Sequence, residues 1–396
     1  MKKIIASLVA VALASSVAFA DVKLSFYNKL YEDSSILDHY DNGKDDDGDS
    51  ETVTDFPGIN ERMFVEVLSD RVDAMVKATM TLDDYDEQHF GIQGKVNDWY
   101  IEFRPIEMIT LGMHTAINPD GSYLPVYDDN LGAGNIGSDG FTVTFKPIEN
   151  LRIGVTTPFS FDGSDKAKDV NWLDGKAERG EDEEFNTGIG AIFDHEKFQI
   201  GASIQDILDS DERQVGAYIN MPGLFGVYEP LTIGAGFAHS ECYQRTFSDL
   251  ISVGHLEAGI GYENLLNAYA TVEFEKFSLS AEMLYNLGGD DEWVKAMGFN
   301  PLTYDGDDGI YGYDFYTGAS ISFGLVDKLT ATATGRLLMD MTSSSKGGFK
   351  NMLFGSFAIN YDLNDRNTLG AEFDVATRDK DWAIAIPVYW KYHFEN

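Results

Sequence analysis

Acidic residues gather in two short, glycine-containing runs, at 41–49 and 305–309. Clustered carboxylates are hard oxygen donors that suit Ca²⁺, and in the first run Asp45, Asp47 and Asp49 are the candidate ligands. The spacing of an EF-hand is incomplete there, because Gly43 occupies the first ligand position. Two interpretations therefore remain open for the first run, a Ca²⁺ site and a solvated acidic loop that attracts divalent ions diffusely.

Residues that carry out catalysis do not form a recognisable pattern. The seven histidines, at 39, 89, 114, 195, 239, 255 and 393, are scattered without a metal-ligand spacing. The sequence contains neither Gly-x-Ser-x-Gly nor a glycine-rich phosphate loop. His114 could belong to a hydrolase site or line a pore, and we favour the pore. We expect no enzyme activity, and no cofactor apart from Ca²⁺ at the acidic loop.

Charged residues recur at every second position of segments that alternate with apolar residues. Leu369, Ala371, Phe373 and Val375, for example, alternate with the polar residues between them, which is typical of a β-strand with two unlike faces. A charge facing lipid costs ~2–4 kcal/mol at mid-bilayer, so in a membrane barrel the polar face lines the lumen. The pore-lining candidates are Arg62, Lys77, Arg104, His114, Lys146, Arg152, Glu282, Arg336 and Glu372.

The segment 383–394 alternates most strictly, with apolar residues at even positions and Trp390, Tyr392 and Phe394 at its end. Amphipathic rings at a strand end are typical of the membrane–water boundary. The segment resembles the C-terminal assembly signal of Gram-negative outer-membrane barrels, although Glu395 and Asn396 follow the phenylalanine. The resemblance implies insertion in the outer membrane by the barrel-assembly machinery, whereas an edge strand of a secreted β-sandwich is the alternative.

The N-terminus has the features of a secretory signal peptide at 1–20. Lys2 and Lys3 precede an apolar stretch at 4–17, and Ala18-Phe19-Ala20 is a small-x-small cleavage site. The remaining 21–396 is predicted to be one domain. It has no run of ~20 apolar residues, so we expect a barrel in the lipid bilayer, with a soluble periplasmic β-protein as the alternative.

Short turns alternate with long acidic connections, which predicts an all-β, antiparallel, up-and-down transmembrane barrel. Two of the turns share Pro-Ile-Glu, at 105–107 and 147–149. Nine long connections give 18 strands, with 16 as the alternative, and the segment 255–266 is assigned to a loop, partly helical. Short turns are expected on the periplasmic side and the long connections outside the cell. These connections are 32–58, 83–96, 116–138, 158–185, 206–213, 240–266, 288–312, 340–350 and 377–381.

The net charge of the chain is −37, and it becomes −39 once Lys2 and Lys3 are removed with the signal. This charge excludes nucleic acid as a partner and predicts cation enrichment at any opening. Basic wall residues with acidic connections resemble the porins, in which an acidic loop folds inward. The candidate constriction loop is 117–137, with Asp120, Asp128 and Asp129; the alternative is that it covers the rim.

The resemblance implies a passive outer-membrane channel, of the general or substrate-specific diffusion porin type. We expect small hydrophilic solutes or ions to pass, with cations favoured, and a homotrimer is one expected assembly. A barrel with a structural or adhesive surface role and no open pore is the alternative function.

Overall fold

The computed structural model describes residues 21–40, 49–53, 58–69, 71–86, 89–114, 140–158, 188–205, 207, 213–240, 246–253, 256–261, 264–287, 311–313, 315–339 and 351–395. The predicted signal peptide lies outside these residues. Within the described ranges, no helix is both long enough and apolar enough to cross a membrane. Almost all of the described chain is β-strand, with one helical turn at Gly223–Gly226.

The described residues form 22 strands, numbered in chain order. They are β1 (Asp21–Tyr40), β2 (Asp49–Val53), β3 (Gly58–Leu68), β4 (Val72–Asp86), β5 (His89–Ile106), β6 (Ile109–His114), β7 (Gly140–Ile148), β8 (Leu151–Pro158), β9 (Gly188–His195), β10 (Phe198–Gln205), β11 (Gln214–Met221), β12 (Leu231–Ser240), β13 (Thr246–Val253), β14 (Leu256–Gly261), β15 (Asn264–Phe274), β16 (Phe277–Asn286), β17 (Tyr311–Tyr313), β18 (Phe315–Val326), β19 (Leu329–Met339), β20 (Met352–Asn364), β21 (Asn367–Arg378) and β22 (Asp381–Glu395).

Eighteen of these strands form one antiparallel ring. Four of the 22, namely β2, β13, β14 and β17, lie outside it, and each ring strand pairs with the strand before and after it in the ring. The ends meet because β1 pairs with β3 on one side and with β22 on the other, in a register that places Ser25 opposite Glu395 and Tyr31 opposite Tyr389. The predicted up-and-down barrel of 18 strands is confirmed.

The two ends of the barrel differ, as the sequence predicted. Turns of two residues, such as 107–108, 149–150 and 275–276, lie at one end together with the start of β1 and the end of β22. We call this the turn end and the opposite one the loop end. Each turn is tied to the next strand along: the Lys146 amide donates to the Met108 carbonyl and the Asp194 amide to the Asn150 carbonyl, both at 2.8 Å.

The outer face of the ring is apolar. Val143, Phe373 and Trp390 expose 48%, 46% and 43% of their surface, although large apolar side chains are usually buried. Neighbouring residues on the inner face are covered, with Thr144 at 1% and Glu102 at 5%. A face of this kind is what a lipid bilayer covers, so the fold is that of a transmembrane barrel and not of a sandwich with a dry core.

The shared Pro-Ile-Glu motif was predicted to form turns, but only its glutamate lies in a turn. β5 and β7 continue through the proline to Ile106 and Ile148, and the turns follow at 107–108 and 149–150. The register shifts between Phe103 and Ile106, and between Phe145 and Ile148. Each proline therefore lies in a bulge, where its missing N–H breaks no ladder.

Two predicted connections are much shorter than expected. The 83–96 connection is a hairpin in which β4 runs to Asp86 and β5 begins at His89, and most of 32–58 belongs to β1, β2 and β3. These strands extend where the sequence is acidic.

The segment 255–266 was assigned to a loop, and its residues 256–261 do lie outside the ring. Here β13 and β14 form a hairpin that joins β17 in a separate three-stranded sheet. The expected helical content is wrong for residues 256–261, which form β14, and residues 264–266 belong to the wall strand β15.

Candidate functional site

The inner wall from β12 to β20 is built of three parallel rows of side chains. A row is a set of residues that pair directly across successive strands, and alternation points every member inward. Counting from the loop end, the apolar row is Leu284, Tyr316, Leu338 and Met352; the charged row is Tyr269, Glu282, Gly318, Arg336 and Phe354; the hydroxyl row is Thr232, Thr271, Ser280, Ser320, Thr334 and Ser356.

The apolar row is buried, and the β13–β14 hairpin packs on strands at both ends of it. Tyr316, Leu338 and Met352 are completely buried although they face the lumen. β13 contacts β21 and β22, and β14 contacts β16 and β21. Val253 and Leu256, at the end of β13 and the start of β14, are 3% and 0% exposed. The hairpin is therefore packed against this part of the wall.

The charged row places an acid and a base on either side of a glycine. Glu282 and Arg336 both pair with Gly318, so their backbones lie about 9–10 Å apart, twice the spacing of adjacent strands. The Tyr316 hydroxyl donates to the Glu282 carboxylate, and the Arg336 guanidinium lies 5.3 Å from the centroid of the Phe354 ring. A side chain on Gly318 would begin 2.6 Å from the Tyr316 hydroxyl oxygen, so the glycine makes room for this hydroxyl beside Glu282.

The hydroxyl row continues toward the turn end in further polar residues. The Thr332 hydroxyl donates to that of Ser322 at 3.0 Å, in the next row, and the Ser356 hydroxyl donates to the Glu372 carboxylate. A cavity of about 510 Å³ lies against the charged and hydroxyl rows, bordered by Tyr269, Glu282, Ser320, Thr334 and Arg336 among others. This part of the wall offers uncharged donors and acceptors beside two carboxylates, Glu273 and Glu282, and one guanidinium.

The wall from β4 to β11 carries ion pairs near the turn end. The Arg104 guanidinium contacts the Asp73 carboxylate and lies 3.2 Å from that of Glu102. Arg152 Nη2 lies 2.9 Å from Asp194 Oδ2. Each arginine thus has an acid on the neighbouring strand, and the positive charge of this wall is largely balanced locally.

The structure brings the predicted pore-lining residues together only in part. Glu282, Arg336 and Glu372 belong to the β16–β21 wall, whereas Lys77, Arg104, Lys146 and Arg152 lie on β4, β5, β7 and β8. Arg62 pairs with Thr79 in β3 and β4, and His114 with Tyr100 in β5 and β6, but their side chains lie outside the described residues. Their role in a pore stays a prediction.

The predicted constriction loop and metal ligands cannot be placed. Asp120, Asp128, Asp129, Asp45 and Asp47 lie outside the described residues, and Asp49 begins β2 without a described side chain. In the described part of the chain, no group of three or more His, Cys, Asp or Glu residues could hold a metal ion. The Ca²⁺ site therefore stays a prediction.

The aromatic residues at the end of β22 lie at the turn end. Trp390 Nε1 donates to Asn367 Oδ1 at 2.9 Å, and the Arg366 guanidinium lies 5.1 Å from the Phe394 ring centroid. Tyr392 pairs with Asn28 of β1 and with Asn367 of β21. An aromatic ring at the membrane–water interface needs polar groups on the side that faces water and apolar surface on the side that faces lipid.

Sequence reasoning missed the burial of the apolar row and the continuity of the hydroxyl row. Consecutive apolar pairs, such as 265–266, 337–338 and 352–353, interrupt the alternation and were a signal for an inner face that is locally dry. The signal for the hydroxyl row was a set of hydroxyl residues two positions apart, at 278 and 280, 320 and 322, and 332 and 334. Only the register shows that they are neighbours.

No family model matches the chain, and no curated protein matches it. Solved structures do match. OccK1 (OpdK) of Pseudomonas aeruginosa is 12% identical, with a TM-score of 0.56, over 95% of this chain and 99% of its own. OccAB4 of Acinetobacter baumannii is 10% identical, with a TM-score of 0.55, over 95% and 98% of the two chains. OpdK is an outer-membrane protein and has been solved with vanillate. At this identity the likeness shows a shared fold.

Proposed function

We propose that this chain is an outer-membrane porin through which small hydrophilic solutes diffuse passively. The observation that carries the proposal is the 18-strand ring itself, whose outer face is apolar and whose inner face carries the charged and hydroxyl rows. A polar inner surface lowers the barrier for solutes that water dissolves well, and wall charges bias which of them enter. Sharing the fold of outer-membrane proteins such as OpdK supports this function.

The proposal includes the location of the protein in the cell and its orientation in the membrane. Residues 1–20 would be removed on export, and the end of β22 would be recognised by the barrel-assembly machinery. The turn end would then face the periplasm and the loop end the outside of the cell. The exposed apolar band suits a lipid bilayer, and a homotrimer would cover part of the same band.

Cation preference is the finer part of the proposal. Arg104 and Arg152 are paired with acids on the inner wall, while the mature chain carries −39 overall. The acidic excess would therefore raise the cation concentration at the openings more than along the wall. A reversal potential measured across a KCl gradient tests this, and a potential of the sign for chloride selectivity would contradict it.

The decisive experiment for the channel is conductance of the purified, folded protein in a planar bilayer. Discrete steps of constant size are expected. The competing function is a surface barrel with a structural or adhesive role, which is favoured by one observation, the buried hairpin packed against the wall, which would narrow the lumen. Absence of steps from protein with the heat-modifiable gel mobility of a folded barrel would favour that role.

A further inference from the structure

Three inward tyrosines lie flat over a glycine of the adjacent strand. Tyr218 pairs with Gly201, Tyr269 with Gly234, and Tyr389 with Gly370. In each pair, a methyl group on the glycine would overlap carbon atoms of the tyrosine ring. The rings therefore lie along the wall instead of projecting across the lumen, and Tyr218 and Tyr389 are buried there, with 5% and 7% exposure.

Tyr269 differs from the other two because it borders the cavity of about 510 Å³. The Tyr218 and Tyr389 hydroxyls donate to Gln199 at 2.8 Å and to Asn360 at 2.6 Å, and neither tyrosine lines that cavity. Tyr269 continues directly into Glu282, Gly318 and Arg336 along the charged row. The Tyr269 ring thus adjoins the Glu282 carboxylate, and the Arg336 guanidinium follows two strands further along the same row.

The other side of the cavity is formed by the hydroxyl row. Thr232, Thr271, Ser280, Ser320 and Thr334 all border it. A hydroxyl both donates and accepts hydrogen bonds, so a run of five on successive strands can match a solute whose own groups do the same. Glu282 and Arg336 have opposite charges and add strong hydrogen bonds, and Glu273, which also borders the cavity, adds a second carboxylate that can accept them.

We propose that this cavity is a subsite for a neutral, polyhydroxylated ring solute of the size of one or two sugar rings. The apolar face of the ring would stack on Tyr269, and its hydroxyl edge would bond to the hydroxyl row, Glu282 and Arg336. The cavity volume lies within the range of small-molecule sites. The subsite rests on the proposed channel, whose solute class it names.

The test is calorimetric titration of the full-length protein, folded in detergent, with maltose as the probe, and with arginine and vanillate for comparison. Saturable maltose binding is expected, weakened at least about tenfold in Tyr269→Ala, which corresponds to about 1.4 kcal/mol. Tyr389→Ala is the matched control, since it also removes an inward tyrosine lying over a glycine, and it should bind maltose like the parent. Undiminished binding by Tyr269→Ala would overturn the proposal.

A second variant separates loss of binding from loss of folding. Ser320→Ala combined with Thr334→Val removes two hydroxyls of the row with little change in volume, and should weaken maltose binding with unchanged gel mobility. Binding of vanillate or arginine without maltose binding overturns the subsite but leaves the channel standing. Maltose binding without conductance steps in a bilayer would contradict the proposed channel and support the subsite, because the titration does not depend on conduction.

Discussion

Arg152 and Asp194 form a charge pair across β8 and β9, with 2.9 Å between Nη2 and Oδ2. The other Asp194 oxygen accepts a hydrogen bond from Gln199 Nε2 at 2.5 Å, and Gln199 Oε1 accepts one from the Tyr218 hydroxyl at 2.8 Å. Polar contacts thus run unbroken from β8 to β11. One carboxylate serves both the arginine and the amide, so the local field of this wall depends on it.

Asp194→Asn should shift ion selectivity toward anions without unfolding the barrel. The substitution removes one negative charge beside Arg152, while the pair itself contributes little to stability because the Asp194 side chain is 42% exposed. Pairs of this exposure are worth at most about 1 kcal/mol. The reversal potential in a KCl gradient measures the shift. Asp365→Asn removes the same charge from an exposed turn and should shift the potential less, because water and salt screen a charge there.

Leu256→Asp should release the hairpin from the inner wall and increase single-channel conductance. Leu256 is fully buried, and a carboxylate in its place would lose its water in a site that an apolar side chain now fills. The milder Leu256→Ala would cost about 2–5 kcal/mol of hairpin packing. Leu353→Ala is the control, since this residue is on the outer face and 53% exposed. Equal conductance of parent and Leu256→Asp would contradict an obstructing hairpin.

Phe373→Arg should prevent or strongly reduce membrane insertion. Phe373 lies in the middle of β21 on the outer face, where an arginine costs ~2–4 kcal/mol at the bilayer midplane. Thr334→Arg places the same charge on the inner face of β19 and should still assemble. Heat-modifiable gel mobility of extracted membranes reports the folded fraction. Equal folding of the two variants would mean that the outer face does not meet lipid.

Phe394→Ser should lower the amount of barrel in the outer membrane. Phe394 pairs with Phe26 where β22 meets β1, and it lies beneath the Arg366 guanidinium. Removing the ring weakens both the closing pair and the end of the proposed assembly signal. Phe225→Ser changes an exposed aromatic residue in a turn at the same end and is the control. Quantitative blotting of membrane fractions compares the two, and a similar loss in both would contradict a special role for the last strand.

Alternation and turn spacing were enough to predict the number and direction of the strands. The lipid-facing half of each strand must be apolar, so residues such as Leu369 and Phe373 carry a regular signal. That requirement ends where the bilayer ends. The extensions of β4 and β5 to Asp86 and His89 were predicted as loop because a strand that stands in water needs no apolar face.

The inner wall could not be predicted to the same depth. Which residues share a row depends on register, and a shift of one residue exchanges the two faces of a strand. The pairing of Tyr269 with Gly234 joins residues that are far apart in the chain, and nothing local indicates it. The hairpin position likewise depends on long-range packing of Val253 and Leu256.

β1 comes first among the ring strands along the chain, and one of its two neighbours is β22, which comes last. β1 can pair with β3 early, but its other edge stays open until β22 has been made. A chain cut short before Asp381 would expose the free edges of β1 and β21, and open edges recruit strands from other molecules. Premature termination late in this chain should therefore yield aggregates and not a slightly smaller barrel.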